Sequence, residues 1–181
     1  MNPKTIKVVV FDSIGVLFSS TVLFDAEKGE TLRTRSHVDG QGISFLRAAG
    51  IRVVFMSASD DGFIRTLEKR LNGLPSVANG SWAPIPVFAG ITGQAKADTL
   101  GAWLEENNLS WSECAYMGDD IGDWQAMQKA GFRAAPASAE EMIKKDAHFV
   151  ASRTGGAGAV RDLCNHILEA QEVDVTTLAL K

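Results

Sequence analysis

Short apolar runs recur along this chain, each followed by a polar residue or two and then by an amphipathic stretch of helix length. That alternation limits the fold more than any other feature. Ile6 to Phe11 is a largely β-branched run, the pattern of a strand covered on both faces. Ile51 to Met56, Ala115 to Met117, Phe132 to Ala135 and Ala147 to Ala151 repeat the type. Between them Gly42 to Ala49, Gly62 to Leu71, Ala95 to Glu106, Trp124 to Ala130 and Ala139 to Lys144 read as helices. Ala157 to Ala170 closes the series, with Val160, Leu163, Cys164 and Ile167 on one helical face. Strand then helix, repeated, predicts right-handed crossovers and a three-layer α/β fold, a Rossmann-like parallel sheet with helices on both faces.

One segment breaks the alternation. Thr21 to Asp25 and Thr31 to His37 predict two strands around Glu27-Lys-Gly-Glu, a hairpin over about 21–37 with little core of its own and so a surface for another subunit. Gly73 to Gly93, with Pro75, Pro84 and Pro86, reads as a loop-rich connection. The tail over about 171–181 is expected to be mobile or to dock on a neighbouring subunit. No linker divides the 181 residues, so one domain over 1–181 is expected. A net charge of −4 argues against a nucleic-acid or anionic-membrane partner. Two cysteines, Cys114 and Cys164, make no disulfide scaffold and suit a reducing, cytoplasmic setting. The early apolar run is too short for a membrane span or a signal peptide's apolar segment.

In an open parallel sheet, ligands bind beyond the carboxyl ends of the strands. The first strand delivers Asp12-Ser-Ile-Gly to that rim, the second Ser57-Ala-Ser-Asp-Asp, and the strand ending at Met117 delivers Gly118-Asp-Asp-Ile-Gly-Asp. Lys96 opens a helix after the run Phe88 to Ile91 and can join them. Close carboxylates repel unless a cation holds them, and an all-oxygen ligand set favours Mg²⁺. Such a cation calls for an anionic substrate, and phosphate is the common one. Read singly, each residue has a plainer role: a solvated strand end for Asp12, a helix cap for Asp119, Asp120 and Asp123, a turn for Ser57, a surface position for Lys96. Gly155-Gly-Ala-Gly fits a phosphate-cradling loop or a flexible helix entry equally well. His37, His148 and His166 lack ligand spacing, and the four tryptophans read as packing residues.

Asp12-x-x-Gly15 after a β-branched strand, Ser57 at a strand end, Lys96, and Gly118-Asp119-Asp120-x-x-Asp123 together resemble the four motifs of the haloacid dehalogenase-like phosphatases. The hairpin, Val38-Asp-Gly-Gln-Gly-Ile and Gly155-Gly-Ala-Gly-Ala-Val-Arg161 narrow the resemblance to the capless branch acting on phosphates of 3-deoxy keto sugar acids. It spans roughly residues 6 to 170. The resemblance implies two-step phosphoryl transfer through an aspartyl phosphate on Asp12. It implies Mg²⁺ held by Asp12, Asp119 and the backbone carbonyl of Ile14, with Asp123 in support. Lys96 and Ser57 would neutralise the phosphoryl oxygens, Gly15 and its neighbouring N–H groups would face the phosphate, and the chain would assemble as a homotetramer.

This sequence departs from that family at three points. Its phosphatases carry a second Asp where Ile14 stands, and that residue protonates the leaving oxygen and then activates water. Ile14 does neither, and general acid–base catalysis is worth about 10²–10⁴ in rate. Ser57-Ala-Ser replaces the Thr-Gly-Arg of the second motif, and no Asp precedes Lys96. Two functions follow from different classes: an Mg²⁺-dependent phosphatase of a small phosphorylated sugar acid, and a non-catalytic assembly or ligand-sensing module. The second resembles the phosphatase-like domain of sialic-acid-activating cytidylyltransferases.

Overall fold

A computed structural model describes residues 2–179. The elements follow in order β1 (Val8–Asp12), β2 (Val22–Asp25), β3 (Gly29–Arg33), α1 (His37–Ala48), β4 (Arg52–Met56), α2 (Gly62–Asn72), α3 (Pro75–Ala78) and β5 (Val87–Phe88). Then come α4 (Gln94–Glu106), β6 (Cys114–Met117), α5 (Trp124–Lys129), β7 (Phe132–Ala135), α6 (Glu141–Asp146), β8 (Phe149–Val150) and α7 (Ala159–Ala170). Six strands form one parallel sheet in the order β5-β4-β1-β6-β7-β8. The chain leaves β1 toward β4 on one side and later returns to build β6 on the other. The sheet's switch point, where a crevice opens, therefore lies at the carboxyl end of β1.

Alternation of side chains decides which helices cover which face. Val9 and Phe11 of β1, with Val53, Phe55, Ala115 and Met117, pack beneath α1, α2 and α7. Val8 and Val10, with Val54, Met56, Cys114 and Tyr116, pack beneath α4, α5 and α6. β1 is therefore buried at every residue, as its unbroken apolar run requires. The three-layer arrangement matches the expectation from sequence.

The differences are local. The hairpin strands are shorter than expected, and His37 opens α1 because Ser36 caps the helix by accepting the Val38 N–H. The expected start at Gly42 is several residues late, since glycines argue against helix interiors. Gly42 is tolerated because α1 and α7 touch there: a Cβ would lie 3.1 Å from Cys164 Sγ and 3.0 Å from Arg161 Cδ. The connection over 73–93 holds the short α3 and the edge strand β5. Within the tail, Val173, Val175 and Leu178 pack against the core, while Leu180 and Lys181 lie outside the described residues.

Asp39 ties α1 to α7 across a long stretch of sequence. Its carboxylate, almost fully buried, accepts the Gly158 N–H at 3.1 Å and the Arg161 N–H at 2.9 Å, capping α7 from outside. Asp39→Ala orphans two helix-start donors and is expected to cost about 2–4 kcal/mol. Asp39→Asn, which keeps one acceptor oxygen, is expected to fall between. Equilibrium urea unfolding of the three proteins checks the order.

Candidate active site

Sheet register brings the expected residues to one rim. Asp12 ends β1 opposite Met56 of β4, and Phe11 pairs with Met117 of β6, so Gly118 and Asp119 leave the sheet beside Asp12. Asp123 follows in a tight helical turn over Ile121–Asp123, and Lys96 comes from the first turn of α4. Lys96, only 2% exposed, donates its ammonium to Asp12 Oδ1 and, at 2.7 Å, to Asp123 Oδ1. The same Asp123 oxygen accepts the Tyr116 hydroxyl at 2.8 Å, and Asp123 Oδ2 accepts the Asp119 N–H at 3.1 Å. Asp123 is thus engaged on both oxygens and fixes its neighbours.

Three carboxylates share one ammonium here, and the imbalance shows in their protonation. Burial, reinforced by the charge of Asp123, raises the Asp12 carboxyl well above the ordinary aspartate range. Asp119 is pushed up to about 8 by burial and then by Asp12, Asp123 and Asp120. Burial alone would lower the Lys96 ammonium, but Asp12 and Asp123 hold it above its usual value. Burial and the charge of Asp123 keep the Tyr116 phenol protonated and so a donor.

This donor set fits a divalent cation. Asp12, Asp119 and Asp123 each offer an oxygen, and these lie within 4.8 Å of one another. The bridge between Ile14 and Phe18 uses the Gly15 and Phe18 N–H groups, so no donor among the described residues reaches the Ile14 carbonyl. Oxygen ligands and excess negative charge suit a hard ion.

Gly15 has a cause the sequence did not reveal. At φ +88° it lies between two groups: a Cβ would fall 1.9 Å from Asp119 Oδ2, while a Cβ on Gly155 would fall 1.7 Å from the Gly15 carbonyl. The turn after β1 is therefore clasped between the Asp119 carboxylate and the loop before α7. Its N–H, expected to face a phosphate, donates instead to the Phe18 carbonyl at 2.8 Å. The glycines before α7 serve this same close approach: the Gly156 N–H donates to the Val16 carbonyl at 2.9 Å.

A cavity of about 410 Å³ opens at the rim, lined by Asp12, Ile14, Lys96, Asp119, Ile121 and Asp123 among others. Ile14 thus faces the cavity beside the carboxylates. Ala58 lines it too, whereas Ser57 is fully buried and its Oγ accepts the Ser59 N–H at 3.2 Å. His148 and His166 pack around Phe132 and Phe149, away from the rim. Sequence reasoning missed Tyr116, the donor that holds Asp123. A tyrosine inside a strand run reads as core, and nothing in its spacing points to Asp123.

An open parallel sheet with a carboxylate–lysine cluster at its switch point suits the handling of phosphate groups, and residues 41–161 match the model of the haloacid dehalogenase-like hydrolases. The chain belongs to that family, and its enzyme class is that of a phosphoric monoester hydrolase. It is 32% identical over 174 residues to the 3-deoxy-D-manno-octulosonate 8-phosphate phosphatase KdsC of Yersinia pestis, covering 92% of this chain and 82% of that protein. The cobalt-bound form of the deoxy-D-mannose-octulosonate 8-phosphate phosphatase of Haemophilus influenzae superposes with TM-score 0.80 at 29% identity, over 95% and 92% of the two chains. The Moraxella catarrhalis enzyme, in complex with magnesium ion, phosphate ion and KDO, superposes with TM-score 0.79 at 27% identity, over 94% and 90%.

Removing the shared cation should be worse than removing one hydrogen-bond donor to Asp123. Lys96→Met strands two buried carboxylates and is expected to cost about 3–5 kcal/mol. Tyr116→Phe leaves one oxygen of Asp123 short of a donor and is expected to cost about 1–3 kcal/mol. Urea unfolding in a chelating buffer measures both.

Proposed function

We propose that the chain is one Mg²⁺-dependent phosphatase domain acting in the cytoplasm on a small phosphorylated 3-deoxy keto sugar acid, through an aspartyl phosphate on Asp12. The observation that carries the reading is the buried Asp12–Lys96–Asp123 cluster opening, with Asp119, onto the cavity at the sheet's switch point. The substrate class rests on the relatives named above and the cytoplasm on two free, buried cysteines.

In this reading Lys96 holds Asp12 Oδ1, so Oδ2 is the oxygen that attacks phosphorus. The substrate's P–O bond breaks as the Asp12–phosphorus bond forms, and the leaving oxygen takes its proton from solvent. Lys96 offsets charge on the phosphoryl oxygens. Water then cleaves the acyl phosphate. Asp12, Asp119 and the Ile14 carbonyl would hold Mg²⁺, with Asp123 behind them; when bound, the ion draws charge from the phosphoryl group. Gly15 contributes by leaving room for Asp119.

The apolar Ile14 side chain where a proton carrier would stand sets the specificity. Aryl phosphates, whose leaving groups need little protonation, are expected to turn over, and sugar-alcohol phosphates to be slower by about 10²–10⁴. Ile14→Asp is expected to recover part of that factor for sugar phosphates alone, and Asp12→Asn to abolish both activities. Steady-state kinetics of the three proteins on an aryl and a sugar phosphate checks this. An Ile14→Asp protein that folds, binds Mg²⁺ and stays inert on both substrates favours the assembly-module reading.

Two further expectations accompany the proposal. Mg²⁺ should raise the melting temperature with concentration, chelation should reverse the shift, and Asp119→Ala should lose it. The hairpin exposes Leu23, Phe24 and Leu32, with Phe24 74% exposed, which supports a homotetramer with contacts made through these strands. Light scattering that gives a monomer at micromolar concentration defeats it.

A further inference from the structure

Arg35 stands between the hairpin and α1; it makes no ion pair with the described residues, and Asp39, the carboxylate whose charge it feels, accepts its hydrogen bonds from the start of α7. Its Nε is buried and has no hydrogen-bond partner among the described residues. Its Nη2 lies over the first turn of α1, 3.1 Å from where a Cβ on Gly40 would stand. That end of a twelve-residue helix carries the positive pole of the backbone dipole. Arg70, on the exposed side of α2, is likewise without an ion pair among the described residues, and its charge adds to the burial that lowers the Arg35 guanidinium, against the opposing charge of Asp39.

The carboxylates nearby accept hydrogen bonds from other groups, although Glu30 and Asp61 also line the larger of two cavities there. Glu30 pairs with Arg33, Asp61 caps α2 through the Phe63 and Ile64 N–H groups, and Asp39 is turned to the start of α7. Two cavities, of about 560 and 490 Å³, flank the pair, and Arg35 and Arg70 line both. Neither shares a lining residue with the cavity at Asp12. A half-buried guanidinium beside a like charge and a helix N-terminus, in a chain of net charge −4, costs stability unless an anion joins it.

We infer that Arg35 and Arg70, at the N-terminal turn of α1, form a second anion-binding site that takes a small carboxylate or phosphate. The forked guanidinium of Arg35 matches the two oxygens either group presents, and Arg70 closes from α2. Thr66 lines the larger cavity. The inference is independent of the phosphatase reading, since it uses none of the residues at the rim.

Thermal unfolding in a chelating buffer at constant ionic strength tests it, with inorganic phosphate in one arm, malonate in the other and chloride as control. Either anion should raise the melting temperature of the wild type beyond chloride. Arg35→Gln and Arg70→Gln should each weaken the apparent affinity roughly tenfold, the loss of one charged contact. Without anion, Arg35→Gln should be at least as stable as wild type, whereas a merely structural arginine would leave it weaker. A response to phosphate alone assigns a phosphoryl ligand, and to malonate alone a carboxylate. On the wild type, phenylglyoxal labelling read by mass spectrometry should show both arginines protected by the effective anion. No shift with either anion, a shift that both variants keep in full, or protection confined to other residues overturns the site.

Discussion

One ammonium between two buried carboxylates organises the sheet's switch point. Lys96 joins β1, the loop after β6 and the start of α4 through one buried charge. Taking three charged groups out of water is costly, and only mutual pairing with saturated hydrogen bonding makes it tolerable. Asp123 meets that condition through Lys96, Tyr116 and the Asp119 N–H. Asp12 and Asp119 do not, and this pair is left with electrostatic demand that a divalent ion can meet. The division of labour among chemically identical side chains follows from how many donors each one has.

A second constraint is steric. The turn after β1 sits between a carboxylate and another loop's backbone at distances that leave no space for even a methyl group at Gly15 or Gly155. The rim therefore depends on the loop before α7, which Asp39 in turn anchors from α1. The helix pair on one face of the sheet and the carboxylates at its edge form one mechanical unit.

Much of this was legible in the sequence. Five of the six parallel strands follow from the alternation of apolar runs, while β5 falls in a stretch that reads as loop, and Asp12, Lys96, Asp119 and Asp123 follow from asking what comes after each apolar run. Hidden features depend on contacts between distant segments. Gly15 looked like a phosphate-facing glycine, because a sequence cannot tell which object occupies the space a Cβ would fill. Ser57 looked like a cavity residue, yet a strand-end residue can turn its side chain either way, and Ala58 faces the cavity instead. Tyr116 and Arg35 escaped notice for the same reason: the worth of each lies in its partners, or in their absence.

The central position of β1 bears on how the polypeptide reaches this state. Its neighbours on both sides are made later, and Asp12 precedes Lys96 by 84 residues. A ribosome working from the amino end therefore releases a sticky β-branched strand long before either flank exists to receive it. Such non-local pairing slows folding and leaves the segment open to wrong partners in the interval. The strand that carries Asp12 is the first piece of the sheet to be synthesised, yet it waits for β6, made after β4 and β5, before both its edges are paired.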